Sequence, residues 1–292
     1  MVSKSEIEGG NLLHQLLGQT QDFGGAFSCI TGGMGGGKTS AMFSWMIYTL
    51  IHYPKQKIFF SETYGAPLQS FKLLSKIPKD KLHFLVMENS NVTFRDRSNH
   101  LKEVDLNPTY FNSTPKEDDE GNVTYSPDLN DLYEKAQLGK INIVFFGNRL
   151  LWMDFMRYLR HTGDWNHIYI DELGEIAPAG TSGANWKRVG AFANFAKDIR
   201  KCMIKVTCNT QAVRDSDYRV WDKFMFLIFL PGAMKDEKHS RVSQGAIDNL
   251  RADPYNQAYI SSKGKFGKIV FKDVFAPVKG YNIEAYTPRD FE

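Results

Sequence analysis

Cysteine is scarce: three in 292 residues, Cys29, Cys202 and Cys208. No two of them form a C-x-x-C pair, so they give no signal for a metal site. Being few, odd in number and set in apolar runs, they read as buried free thiols in a reducing compartment. Long apolar runs are scarce too. The longest, Phe224-Met225-Phe226-Leu227-Ile228-Phe229-Leu230, is far shorter than the ~18–20 residues of a membrane-spanning helix and reads as a buried strand. The N-terminus carries no apolar signal region. These absences predict a soluble chain. Charge of one sign is not dominant, with a net charge of +3. That balance permits nucleic-acid binding without arguing for it, and local clusters must decide. No internal repeat is visible.

What is present suffices for a core. The hydrophobic share is 42% and the charged share 24%, which sets the chain apart from disordered sequences. Its length suits one large domain or two ordinary ones.

The most informative stretch is Gly32-Gly33-Met34-Gly35-Gly36-Gly37-Lys38-Thr39-Ser40, which fits G-x-x-x-x-G-K-[ST]. Glycines let successive backbone N–H groups turn inward and form a concave anion site. Lys38 can reach the β- and γ-phosphates of a bound ATP, and the Thr39 hydroxyl can ligate Mg²⁺. A flexible glycine linker would need polar surroundings. Instead a short apolar strand at 25–30 precedes the loop and an apolar helix at 38–52 follows it. That helix starts with its dipole aimed at the phosphates.

Alternating strands and helices predict an α/β fold with a mainly parallel sheet covered on both faces. Strands are expected at 57–61, 82–87, 141–146, 167–172, 203–208 and 224–230, with two more near 257–261 and 268–274. Helices are expected at 66–76, 149–161 and 185–200, and a short amphipathic one around Ile7, Leu12, Leu13, Leu16 and Leu17. Residues 88–128 are polar and break the rhythm. They read as an insertion holding a β-hairpin that turns near 119–121, with Glu117-Asp118-Asp119-Glu120 as a solvated turn. The expected layout is a lead-in at 1–24, one ATPase domain at 25–274 and a tail at 275–292.

Three further positions carry chemistry. Asp171 and Glu172 close an apolar strand. A carboxylate there can hold Mg²⁺ through water, and the next can polarise an attacking water. Asn209-Thr210-Gln211 closes the following strand. A carboxamide there can sense the γ-phosphate or orient the water, with Gln211 favoured over Asn209. Phosphoryl transfer also gains from an arginine, often supplied by a neighbouring subunit. Arg200 is the first candidate, with Arg188 and Arg214 as rivals.

Residues 32–39, residues 168–172 with Glu directly after Asp, and residues 204–211 ending in Thr-Gln resemble, as a set, the FtsK–HerA superfamily of P-loop ATPases. Within it the chain is similar to viral DNA-packaging ATPases and zonular-occludens-toxin-type proteins, most of all at Phe195-Ala196-Lys197-Asp198-Ile199-Arg200-Lys201 leading to Thr210-Gln211. The resemblance implies a RecA-like core, a homo-oligomeric ring of usually six subunits, and ATP-driven movement of double-stranded DNA. Onto this sequence it carries phosphate binding by Lys38 and Thr39, Mg²⁺ at Thr39 and Asp171, catalysis by Glu172 and γ-phosphate sensing by Gln211. A capsid or portal-vertex partner and a place in the host cytoplasm or the virion would follow. Without a membrane segment, a packaging motor is favoured over a membrane-anchored export protein. DNA contacts are expected from Lys263, Lys265 and Lys268 around Phe266, or from Lys235, Lys238, His239 and Arg241. Rival readings are an assembly or secretion ATPase that moves no DNA, and a small-molecule kinase.

Overall fold

Apolar, β-branched and aromatic runs build one large sheet, and its central strands are buried end to end because both faces are covered. The structure, a computed structural model, describes residues 3–18, 24–61, 79–90, 92–96, 102–103, 105–117, 121, 123–147, 150–180, 182–211, 216–235, 242–251, 256–271 and 283–286. Its main elements begin with α1 (Lys4–Leu17), β1 (Ala26–Thr31), α2 (Lys38–His52), β2 (Lys57–Ser61) and β3 (Leu82–Met87). Next come β4 (Thr93–Asp96), β5 (Lys102–Glu103), β6 (Thr109–Phe111), β7 (Ser113–Glu117), β8 (Val123–Pro127) and α3 (Leu129–Lys135). They continue with β9 (Ile141–Phe145), α4 (Leu151–Leu159), β10 (Asn166–Ile170), α5 (Gly183–Asp198) and β11 (Ile204–Thr210). The last are β12 (Phe226–Phe229), β13 (Asn256–Ser262), β14 (Lys265–Phe271) and β15 (Ile283–Tyr286).

Ten strands form the main sheet in the order β14-β13-β12-β1-β11-β10-β2-β9-β3-β6. Every pairing from β12 to β6 is parallel, and β13 and β14 extend one edge as an antiparallel hairpin. Strand β11 is inserted between β1, which leads to the glycine loop, and β10, which leads to Asp171. That order is RecA-like, and the α/β expectation holds, C-terminal strand extension included. Helices α1 and α2 cover one face with Leu12, Leu16, Met42 and Trp45. Helices α3, α4 and α5 cover the other with Leu132, Trp152, Phe155 and Phe192.

Several boundaries differ from the sequence reading. Within 88–128, Thr109–Phe111 is a strand of the main sheet, paired to β3, with Phe111 fully buried. The hairpin expected there is β7–β8, paired from Ser113↔Pro127 to Glu117↔Val123, so the chain reverses between Glu117 and Val123. In the expected tail, β15 pairs with β4 in a small antiparallel sheet. The basic stretch around Phe266 is not a loop. Only Lys263 and Gly264 turn, at φ 45° and 81°, because a two-residue hairpin that matches strand twist needs left-handed backbone at both positions. Strand β11 runs on to Thr210, held in register by Thr31↔Thr210. The expected helix 66–76 lies outside the described residues.

Helix α1 starts in a capping box between Ser3 and Glu6. Its far end is tied to the sheet by Lys205 of β11, a lysine with no exposed surface. The Lys205 amine donates to the Gln15 and Gly18 carbonyls, and its neighbour in register is the buried His167. Burial pulls the Lys205 pKa down from 10.5 to about 7. Between those values the unfolded chain holds more protons at this group than the folded one, so this group makes stability rise with pH across that window. Lys205→Met is therefore expected to flatten the rise. Chemical denaturation at about pH 7 and about pH 10 checks it: an unchanged wild-type-to-variant difference between the two would refute this account.

Candidate active site

Parallel strands deliver all their C-terminal ends to one edge of the sheet, so loops that follow β1, β10 and β11 meet there. After β1 the chain enters the glycine loop. Gly37 sits at φ 84° directly ahead of α2, and no side chain caps that helix. Its first-turn amides therefore remain available to an anion. The loop leans on residues 230–232. Gly33 N–H donates to the Pro231 carbonyl at 3.2 Å, and a Cβ on Gly36 would come within 2.6 Å of the same oxygen. Met34 at the loop tip is 90% exposed, and Ser40 lies half-buried in the first turn of α2. Lys38 curls back over the loop, its Nζ donating to the Gly32 carbonyl at 2.9 Å and the Gly33 carbonyl at 3.1 Å. Burial lowers the Lys38 pKa, while Glu172 and Asp171 act in the opposite sense.

The two carboxylates stand directly beyond β10. Asp171 Oδ1 accepts from the Thr39 hydroxyl at 3.4 Å and from Asn209 Nδ2 at 2.5 Å. Glu172 takes φ 65°, and its N–H donates to Asn209 Oδ1 at 2.8 Å. Its own Oε1 accepts the Gly174 N–H at 3.3 Å. Burial raises the Glu172 pKa and the nearby Asp171 adds to the rise, whereas the Gly174 amide, the Thr210 hydroxyl and Lys38 pull it down.

Sequence reasoning named most of this cluster. Lys38, Thr39, Asp171 and Glu172 are brought together. Gln211 is exposed just past β11, its carbonyl accepting from Thr31 Oγ1 at 3.5 Å. Asn209, ranked behind it, is the buried residue that binds both carboxylate residues. Its nearness to Asp171 shows only once β10 and β11 are paired. Pro231 and Gly232 carry a turn signal, but nothing in sequence links them to a loop so far upstream.

Of the candidate arginines, Arg200 stands apart. Arg200 is exposed at the opposite edge of the sheet, where its carbonyl abuts Gly24 ahead of β1. A strand of that length puts it roughly 20 Å from the glycine loop of its own chain. Arg188 is exposed on α5, lining a groove with Arg157 and Phe192. Arg214, Lys238, His239 and Arg241 lie outside the described residues. The Lys263 turn is also at the edge away from the glycine loop, since β13 runs antiparallel to β12. There Lys265 lies 3.8 Å from Glu8.

These residues fit a magnesium nucleotide. Gly36 leaves no room for a Cβ against Pro231, the amides are open, and a hydroxyl and a carboxylate share one point. Among the described residues no three His, Cys, Asp or Glu are grouped so that they could hold a metal ion. Mg²⁺ in a nucleotide site needs no such group, because it keeps waters and takes phosphate oxygens as ligands.

Strand order and loop together define a P-loop protein of RecA-like build. No family model matches the sequence, and no curated protein matches it. Solved structures similar in fold include the following three. The N-terminal domain of zonular occludens toxin from Neisseria meningitidis is 12% identical at a TM-score of 0.40, covering 85% of this chain and 94% of that one. The genome packaging NTPase B204 from Sulfolobus turreted icosahedral virus 2, with sulfate, is 12% identical at 0.44, covering 90% and 96%. A KaiC-like protein from the hyperthermophilic archaeon Pyrococcus horikoshii is 15% identical at 0.41, covering 90% and 90%.

Gly36→Ala would force the loop off its Pro231 support. It is expected to weaken binding of a fluorescent ATP analogue by at least about tenfold. Gly10→Ala, where a Cβ meets nothing within 4 Å, serves as the control. Equal affinities for the two variants would refute the loop assignment.

Proposed function

We propose that this chain is a Mg²⁺-dependent ATPase that works in a ring and moves double-stranded DNA, as a viral genome-packaging motor does. One observation carries the ATPase part: Glu172, a carboxyl whose pKa burial raises, sits at the Thr39–Asp171 pair beside Lys38. A base with a raised pKa is better matched to water activation near neutral pH. The ring and the DNA rest on the motif resemblance.

In this reading Lys38 and the loop amides bind the β- and γ-phosphates. Thr39 and Asp171 would hold the Mg²⁺, which when bound supplies charge neutralisation on the phosphates. Glu172 takes the proton of a water aimed at the γ-phosphorus, and Gln211 faces the γ-phosphate. Arg200 is too far from its own glycine loop to act there, which is consistent with service to the next subunit's site. The partners would be the DNA, further copies of this chain and a capsid or portal vertex. No helix among the described residues is long and apolar enough to cross a membrane.

A second reading, an assembly or secretion ATPase that moves no DNA, is favoured by one observation. Among the described residues, the exposed candidates for DNA contact, Lys263 and Lys265, lie at the edge remote from the glycine loop, and Lys265 already faces Glu8.

ATP hydrolysis with and without double-stranded DNA, across a salt series, separates the two. Stimulation that fades with salt is expected of a motor gripping phosphates, and hydrolysis indifferent to DNA supports the assembly ATPase. Glu172→Gln is expected to cut turnover by about a hundredfold or more while ATP binding persists. The acid limb of the wild-type rate should lie above the ordinary carboxylate range, since burial raises the Glu172 pKa. A Glu172→Gln variant with normal turnover would remove the base assignment.

A further inference from the structure

We infer that Asn209 is a positioning residue that locks Asp171 and Glu172 in their working geometry. This rests on the ATPase reading of the site. Asn209 is 2% exposed, and the catalytic pair engages both ends of its carboxamide. Nδ2 donates to Asp171 Oδ1, and Oδ1 accepts the Glu172 N–H. The arrangement admits one orientation only. Turning the amide over would set NH₂ against N–H and oxygen against carboxylate.

The backbone of Glu172 is a second, independent observation. It stands at φ 65° and ψ 93°, a region that non-glycine residues seldom occupy. Such a conformation persists where its surroundings over-determine it, and it gathers at functional sites. Here the restraints fall on both sides. Asn209 holds the N–H, and the Gly174 N–H holds the carboxylate. The last ladder pair between the strands is Ile170↔Cys208. One step further, side-chain bonds from Asn209 take over from the ladder, and the chain bends away at Glu172. Asn209 thus acts through the pair. Because Thr39 donates to the same Asp171 oxygen, the clamp also spans to the start of α2.

Asn209→Asp tests this directly. It keeps the size and the acceptor for Glu172 N–H, but replaces the donor to Asp171 with a like charge. Its kcat is expected to be about tenfold or more below wild type, with KM for ATP changed by less than about threefold. Asn209→Ala, which loses both bonds, should lose at least as much rate. Should it fail to fold, Asn209→Ser takes its place.

A second readout needs no turnover. Amide hydrogen exchange at residues 171–174, without nucleotide, should be faster than wild type in Asn209→Asp and in Asn209→Ala. Wild-type kcat in the variants, or exchange at residues 171–174 unchanged from wild type, overturns the inference. If wild type itself hydrolyses no ATP, the ATPase reading falls, and the exchange comparison alone decides the clamp.

Discussion

Parallel pairing of β1, β11 and β10 is the constraint on which everything else depends. It sends three separate stretches of chain to one edge and sets their mutual register. Ile30 pairs with Asn209 and Ile170 with Cys208, so Asp171 emerges beside Asn209, one strand away from the glycine loop. A slip of one residue would turn every side chain of a strand to the opposite face. Burial on both faces forbids such slips here. Phe27, Cys29, Val206 and Cys208 point to one core cluster, while Ala26, Ile30, Ile58 and Tyr169 point to the other.

The same burial shapes the chemistry. Taking a carboxyl and an amine partly out of water disfavours the charged form of each, which raises Glu172 and lowers Lys38. Each charge acts against the other's shift. The cluster is thus poised for a polyanion to enter and engage Lys38, whose present partners are two carbonyls of its own loop. Meanwhile the strained Glu172 backbone is held by bonds from both sides rather than by the strand ladder.

The sheet has two unlike ends. Phosphate loop, carboxylates and Asn209 share the C-terminal edge. Arg200 and the Lys263 turn stand at the other, with the Gly18 end of α1 tied to buried Lys205. Arg200 therefore lies far from the Asp171–Glu172 pair of its own chain.

Much of this was legible beforehand. Strands 57–61 and 82–87 and helix 38–52 match their sequence-based bounds, because apolar period and breaker residues act locally. Thr109–Phe111 was not legible, since three residues in a polar stretch carry too little pattern to mark a core strand. Nor was the Lys263-Gly264 hairpin, read as a longer basic loop. In the site, local motif chemistry named Lys38, Thr39, Asp171 and Glu172. It ranked Gln211 above Asn209, because a motif records residue type and spacing but not which side chain is buried against which. The sequence by itself determined the phosphate loop, the carboxylate pair and the α/β alternation, all of which are written in contiguous residues. Only the tertiary structure decided that Asn209 grips that pair, that Pro231 backs the loop and that Arg200 lies at the far edge, because each depends on strand order, which brings together residues that sequence keeps far apart.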